Sequence, residues 1–467
     1  MSKEIKIAAA DSLLGKLQRG RGAGFLAARQ EQPEKIWPLL VECITQDPRL
    51  DGQVESRDNF YAALVVETGM ELKPLAIHLR ENDDKDQSGW NTPLTVTTLG
   101  ALAKRNYQDS VEILRDYVSW GNWWNWAIDE LVSTKNKEAW ANLDEVFWKR
   151  FGSYKSIEDE LGWFNADEEP WKTWSKQNVQ LGKFADFLRQ PAKPLEELND
   201  KSITVAKVLQ LAEQDGRSRF NLRKAIAELV KPTDFEYLLS QVSIAEPKRS
   251  AIALAGLAKL ANPAMFNWLR DFWSNNPEMP GALRRWVKDA IISLPAPQTL
   301  PLARDWLNHD DWHFRLLAEK LMQCHATLDD VPRLRKEIIS ALEDDENQAY
   351  RLCSLIEAFK HLPELGRIPE LESVFIEFRY SYGRSRVAEA LFATNRDFFV
   401  RNYAQECLWD CEDRTRALGC EAADLTDKIT SERIKQLSAD VWEDELVRNA
   451  AAKNLNLCRI DAKPHRA

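Results

Sequence analysis

Between about Glu213 and Leu457 one short pattern recurs eight times, and it constrains the fold more than any other feature of the chain. Each copy is a polar turn, usually with Asp or Glu, then an Arg, then apolar residues at three- and four-residue spacing. The turns begin at Asp215, Glu246, Pro280, Asp310, Asp344, Tyr382, Cys411 and Glu443. With Arg219, Arg249, Arg285, Arg315, Arg351, Arg384, Arg416 and Arg448 as markers, the interval runs from 30 to 36 residues. The mean of about 33 is the range of helical solenoids.

Each unit has room for two helices. The stretches between the Arg-bearing segments are themselves amphipathic, as in Ala264, Phe266, Trp268, Leu269, Phe272 and Trp273, or Leu334, Ile338, Ile339 and Leu342. Neither helix of a pair can bury its apolar stripe alone, so the units must stack on one another. An acid in the turn, an Arg early in the second helix and alanines such as Ala318, Ala450, Ala451 and Ala452 together resemble the HEAT-repeat family. The turns at Asp310, Cys411 and Glu443 are nearest to that pattern; the one at Pro280 lacks the acid and the one at Tyr382 replaces it with an aromatic. The resemblance implies an all-α fold, a right-handed α-solenoid of stacked antiparallel helix pairs.

The expected organisation is degenerate helical repeats with an N-terminal cap over 1–150, an irregular Trp- and acid-rich joint over 151–200, and eight HEAT-like repeats over 201–467. Helix starts near Arg57, Asn91 and Asn122 keep a similar period, which extends the same architecture towards the N-terminus. The net charge of −10 is uneven. Residues 1–200 carry 25 Lys and Arg against 33 Asp and Glu, whereas residues 201–467 are nearly balanced. So acidic a chain is a poor sleeve for nucleic acid as a whole. With no long apolar run and seven cysteines without paired spacing, the expectation is a soluble, cytoplasmic protein.

Half of the 18 tryptophans fall between 120 and 174. Counted at 100° per residue, Trp120, Trp123 and Trp124 share a helix face and Trp126 points elsewhere. Some of this aromatic surface is therefore expected to meet a partner. Trp120, Trp123, Trp124, Trp126, Trp163, Trp171 and Trp174, beside Glu158, Asp159 and Glu160, suit a basic protein or peptide through cation–π and charge pairing. The competing expectation is that large side chains fill a wide gap between helices.

Two basic stretches are candidate anion sites. Arg19 and Arg21 flank a turn with glycines at 20, 22 and 24, where backbone N–H groups can approach a phosphate. No preceding strand and no Lys-Ser/Thr pair completes a nucleotide motif there, so a tight packing turn is the stronger expectation. Arg379, Arg384 and Arg386 alternate with aromatics, a composition that can hold phosphates and stack bases. In the repeats themselves, the recurring Arg is expected to form a ladder with the turn carboxylate of its own or the next unit, as Arg315 with Asp311, Arg416 with Asp413 and Arg448 with Asp444.

Little points to catalysis. His309 and His313 are four apart, a weak metal spacing, but Asp310 and Asp311 read as the turn and cap of the Trp312 helix and place His309 outside it. Cys407, Cys411 and Cys420 read as helical fillers. No nucleophile elbow, phosphate loop or His-Glu pair occurs, and no cofactor is expected. The expected function is a non-enzymatic helical-repeat scaffold or adaptor that binds a protein on a concave or Trp-rich face. The rivals resemble the HEAT-like alkylpurine DNA glycosylases, for which Trp306, Trp312, Asp310, Asp311, Arg284, Arg285 and Arg315 would be the residues to recruit, and the HEAT-like bilin lyases. An importin-like array is absent, since only Trp174 with Asn178 has its spacing.

Overall fold

The computed structural model describes residues 6–83, 91–152, 167–188, 203–212 and 219–461. Among the described residues the regular structure is helical and contains no strand. Proline opens the helices Pro33–Thr45, Pro247–Leu260 and Pro369–Glu377, where its fixed φ suits the first turn and its missing N–H costs nothing. Ser12, Thr204, Asp311, Asn395 and Asp427 cap others by accepting a bond from an amide two or three residues on.

The chain forms two compact units. One comprises Pro191–Glu337 with Ser354–Leu362, and the other Met1–Gln190 with Ile338–Cys353 and Pro363–Ala467. Residues 363–467 fall in the same unit as residues 1–190.

In the smaller unit consecutive helices pack in pairs: Phe235–Ser240 on Pro247–Leu260, Phe266–Ser274 on Gly281–Ile292, and Ala296–Trp306 on Trp312–His325. The second helices also pack on one another in succession. Their buried residues keep the three- and four-residue spacing of one face, as in Leu283, Val287, Ala290 and Ile291, then Leu317, Ala318, Leu321 and Met322.

Arg249 reaches the acid of its own turn, Glu246, at 3.7 Å, but at Arg315 and Arg416 the local use differs from the one expected. Arg315 turns back to the carbonyls of His309 and Asp310, at 2.6 and 2.7 Å. Arg416 does the same to Asp410 and Cys411, at 2.9 and 2.7 Å. Helical side chains lean toward the N-terminus, so an Arg in the first turn reaches the carbonyls before it. The carboxylate of Asp311 is already occupied, capping the amide of His313 at 2.8 Å. Ties to the following repeat do form, between Arg384 and Asp410 and between Arg416 and Glu443, at 2.8 and 2.6 Å.

The larger unit has one continuous core that joins remote stretches of chain. Leu17, Phe25, Phe60 and Tyr61 share it with Leu408, Trp409, Cys411 and Cys420. The glycine turn makes this possible. Gly20 is left-handed, at φ 64°, and a Cβ there would meet Cys411 Sγ. A Cβ on Gly22 would lie 1.9 Å from the carbonyl oxygen of Glu406. Glycine lets the helix Gly22–Ala28 lie directly on Ala404–Cys407.

Candidate functional site

The two basic stretches, 360 residues apart in sequence, meet inside the larger unit, and their guanidinium groups are spent on protein partners. Arg19 donates to the carbonyls of Glu377, Ala8 and Gly15. Arg21 forms an ion pair with Glu406 at 2.9 Å. Arg384, fully buried, is bidentate on Asp410 and also reaches the Gly20 carbonyl. Arg379 pairs with Glu346 at 3.1 Å, and Arg386 lies over the Tyr382 ring. The expected anion sites are thus the two halves of an internal clasp. Burial lowers the pKa of Arg19 to about 10, with Asp345 opposing and Arg384, Arg21 and Arg57 adding to the fall.

At its centre lie Glu55, Arg57, Ser381 and Glu412. Arg57, wholly buried, pairs with Glu55 at 2.8 Å and donates to the carbonyls of Gln18 and Arg379. Ser381 Oγ is 2.8 Å from Glu55 Oε2 and 2.5 Å from Glu412 Oε1. The amide of Ser56 donates to the same Glu412 oxygen. Burial pushes the Glu412 carboxyl up to about 7, against the Ser381 hydrogen bond and with the help of Glu55 and Asp410. Arg57 at a helix start and Glu412 in the turn at Cys411 fall on the repeat pattern, but that they meet as buried charges acquires meaning only once their partners are known.

The tryptophans divide by depth. Trp124, Trp140 and Trp174 are buried. Phe147 gathers Trp124 at 5.1 Å and Trp171 at 5.0 Å, and Trp171 meets Trp174 edge-on at 5.1 Å. Trp123 and Trp126 are half-buried and pack on each other. Trp163, Glu158, Asp159 and Glu160 lie outside the described residues. The shared face expected for Trp120, Trp123 and Trp124 does not arise, because the helix begins only at Trp124. Asp83 holds the turn before it, accepting the Tyr117 hydroxyl and the Asn122 amide, while Gly121 sits against the Tyr117 ring.

Trp120 alone of the group lines an open groove, of about 570 Å³, between the helices Lys73–Asn82 and Gln108–Val118. Leu72, Ala76, Leu79 and Ile113 line it with apolar surface, and Glu71, Lys73, Asp109, Glu112 and Asp116 are exposed around it, four carboxylates to one lysine. Arg80 pairs with Asp116 at 2.6 Å and lies 5.3 Å from the Trp120 ring centroid. The Trp120 indole N–H donates to the same Asp116 carboxylate.

In the smaller unit, His309 accepts the Asp311 amide on Nδ1 and stacks on Phe314 at 4.3 Å. His313 stacks on Trp312 at 3.8 Å, beyond the cap that Asp311 provides. Among the described residues no cluster of three His, Cys, Asp or Glu side chains gathers at metal-binding distance, and no helix is long and apolar enough to cross a membrane. The buried Cys407 and Cys411 thiols are raised well above their ordinary value, chiefly by burial, which keeps them protonated and inert. No protein-family model, curated protein or solved structure matches this chain.

Proposed function

We propose that the protein is a HEAT-like right-handed α-solenoid scaffold, without cofactor, that captures a basic segment of a partner protein in the groove beside Trp120. The observation that carries this reading is how the groove already treats its own Arg80. A guanidinium there has a carboxylate and an aromatic face together, the pair of interactions that recognises arginine. Arg80 and Asp116 are 62 % and 49 % exposed in their side chains, and an exposed pair of this kind is worth only about 0–1 kcal/mol. An incoming Arg or Lys can therefore displace Arg80 cheaply, with Asp109, Glu112 and Glu71 holding the residues on either side.

Of the arginines that a glycosylase-like reading would recruit, Arg285 is exposed and two others are engaged with backbone carbonyls. Arg284 donates to the carbonyls of Asn276 and Pro277, and Arg315 to those of His309 and Asp310. The test is titration of a fluorescent Arg-rich peptide against the wild type, the Trp120→Ala variant and the charge-reversed Asp109→Lys/Glu112→Lys variant. Saturable binding is expected to weaken by at least about tenfold in each variant, or about 1.4 kcal/mol, and to weaken with salt. Equal binding by all three proteins, or none by the wild type, would rule the groove out.

A further inference from the structure

The larger unit contains a second, smaller cavity of about 220 Å³, lined by polar and aromatic groups. Phe25 and Phe60 come from early helices, Arg433 from the helix Lys428–Ala439, Trp409 and Trp442 from turns between the C-terminal helices, and Arg105 from just past Asn91–Lys104. Four carboxylates also line it, but each is engaged. Asp410 is held by Arg384, Glu443 by Arg416 and Glu67 by Arg29, at 2.8, 2.6 and 2.8 Å. Asp440 accepts the Trp442 amide at 2.9 Å.

Two guanidinium groups of the lining are not matched in this way. Arg433 lies 4.0 Å from the Trp409 ring centroid and donates its Nε to the Leu408 carbonyl. Arg105 donates from one terminal nitrogen to Asn59 and the Ala101 carbonyl. Neither has a carboxylate partner among the described residues, and Arg433 sits near a third guanidinium, Arg416. Burial, with Arg416 adding and Glu443, Cys420 and Glu67 opposing, depresses the Arg433 pKa to about 10. Glu443 and Glu67 thus act on Arg433 only from a distance, each already paired with another arginine, and a mostly enclosed cation with no carboxylate hydrogen-bonded to it favours an added anion.

We infer that this cavity is a binding site for a small oxyanion, a carboxylate or phosphate, held between Arg433 and Arg105. Its volume is below the roughly 300–1,000 Å³ of sites for drug-sized molecules, so the ligand is small. Charge-assisted hydrogen bonds from the two guanidinium groups would hold such an anion.

The test is thermal melting in potassium phosphate, sodium acetate and sodium succinate, each against chloride at equal ionic strength, for the wild type, Arg433→Gln and Arg105→Gln. Phosphate or one of the carboxylates is expected to raise the wild-type melting temperature at millimolar concentration. The concentration needed should increase at least about tenfold in both variants. The arm that responds identifies the anion class. No wild-type response to any anion, or the same response in folded variants, overturns the site. Wild-type crystals soaked separately in tungstate, a phosphate stand-in, and bromoacetate, a carboxylate stand-in, decide independently of how the variants fold: an anomalous peak between Arg105 and Arg433 is expected from the one that matches the responding arm, and its absence from both refutes the inference.

Discussion

Ser381 has one hydroxyl proton and two carboxylates within hydrogen-bond distance, Glu55 and Glu412. One donor cannot serve both, so the arrangement closes only if a carboxyl carries a proton. Glu412 is that group, since Glu55 already receives the Arg57 guanidinium and the Ser381 amide. Around Glu412 stand Glu55, Asp410, Arg384, Cys411 and Arg57. Its folded pKa, pushed up to about 7 by burial first, exceeds the unfolded value of 4.5. Between those values the folded state holds a proton that the unfolded state has lost, so stability falls as pH rises through this window. Glu130, buried beside Lys104, is also pushed up to about 7 by burial and acts with the same sign. Each contributes on the order of 3 kcal/mol from pH 5 to 8. Urea denaturation across that range should show a steadily falling midpoint, and Glu412→Gln should flatten the slope by about half. A slope unchanged in the variant would place the shared proton elsewhere.

Elements, in contrast to these buried charges, are set largely by local rules, and a pair of glycines separates the local from the remote. Gly22 and Gly281 both occupy the first position of a helix, where alanine is intrinsically better by about 0.8–1 kcal/mol at interior positions and less at the end. Nothing lies within 4 Å of a Cβ built on Gly281, whereas one on Gly22 runs into the Glu406 backbone carbonyl. Gly281→Ala is therefore expected to be neutral or slightly stabilising, and Gly22→Ala to destabilise by about 1–3 kcal/mol through overpacking, read as opposite shifts in melting temperature. The same division decides what was legible in the sequence. Helix pairing, the Asp311 cap and the phase of the arginines follow from spacing within some 35 residues. What the Gly20–Gly24 turn packs on does not, because Glu406 and Cys411 lie nearly 400 residues further along the chain. The Trp120 and Trp124 faces escaped for a related reason: counting at 100° presumes a helix, and Asp83 delays its start from outside the segment. Trp120 was visible as a type of residue, while the groove it lines was set by the neighbouring helix.

At the scale of the larger unit, the consequence is a departure from nearest-neighbour architecture. In an open solenoid each repeat is held by the ones beside it, so trimming an end loosens only that end. Here the Gly20 carbonyl receives both the Cys411 amide and Arg384, Phe25 stacks on Trp409 at 4.9 Å, and Arg21 holds Glu406. Removing residues 1–31 would take away all of these at once, strip Arg57 of its Gln18 partner and uncover the face of Trp409. The loss should therefore appear at the far end of the sequence. Hydrogen exchange of the truncated protein is expected to show protection falling by an order of magnitude or more in Ala404–Cys407 and Asp413–Ala422, while Gly281–Ile292 in the other unit keeps its protection. Exchange confined to the helices next to the cut would mean that neighbouring repeats alone hold the C-terminal helices. Joining segments so far apart costs loop-closure entropy before any contact forms. A chain that accepts that cost gains a core in which its first helices are a structural part of its last repeats, and the charged clasp fixes the register in which they meet.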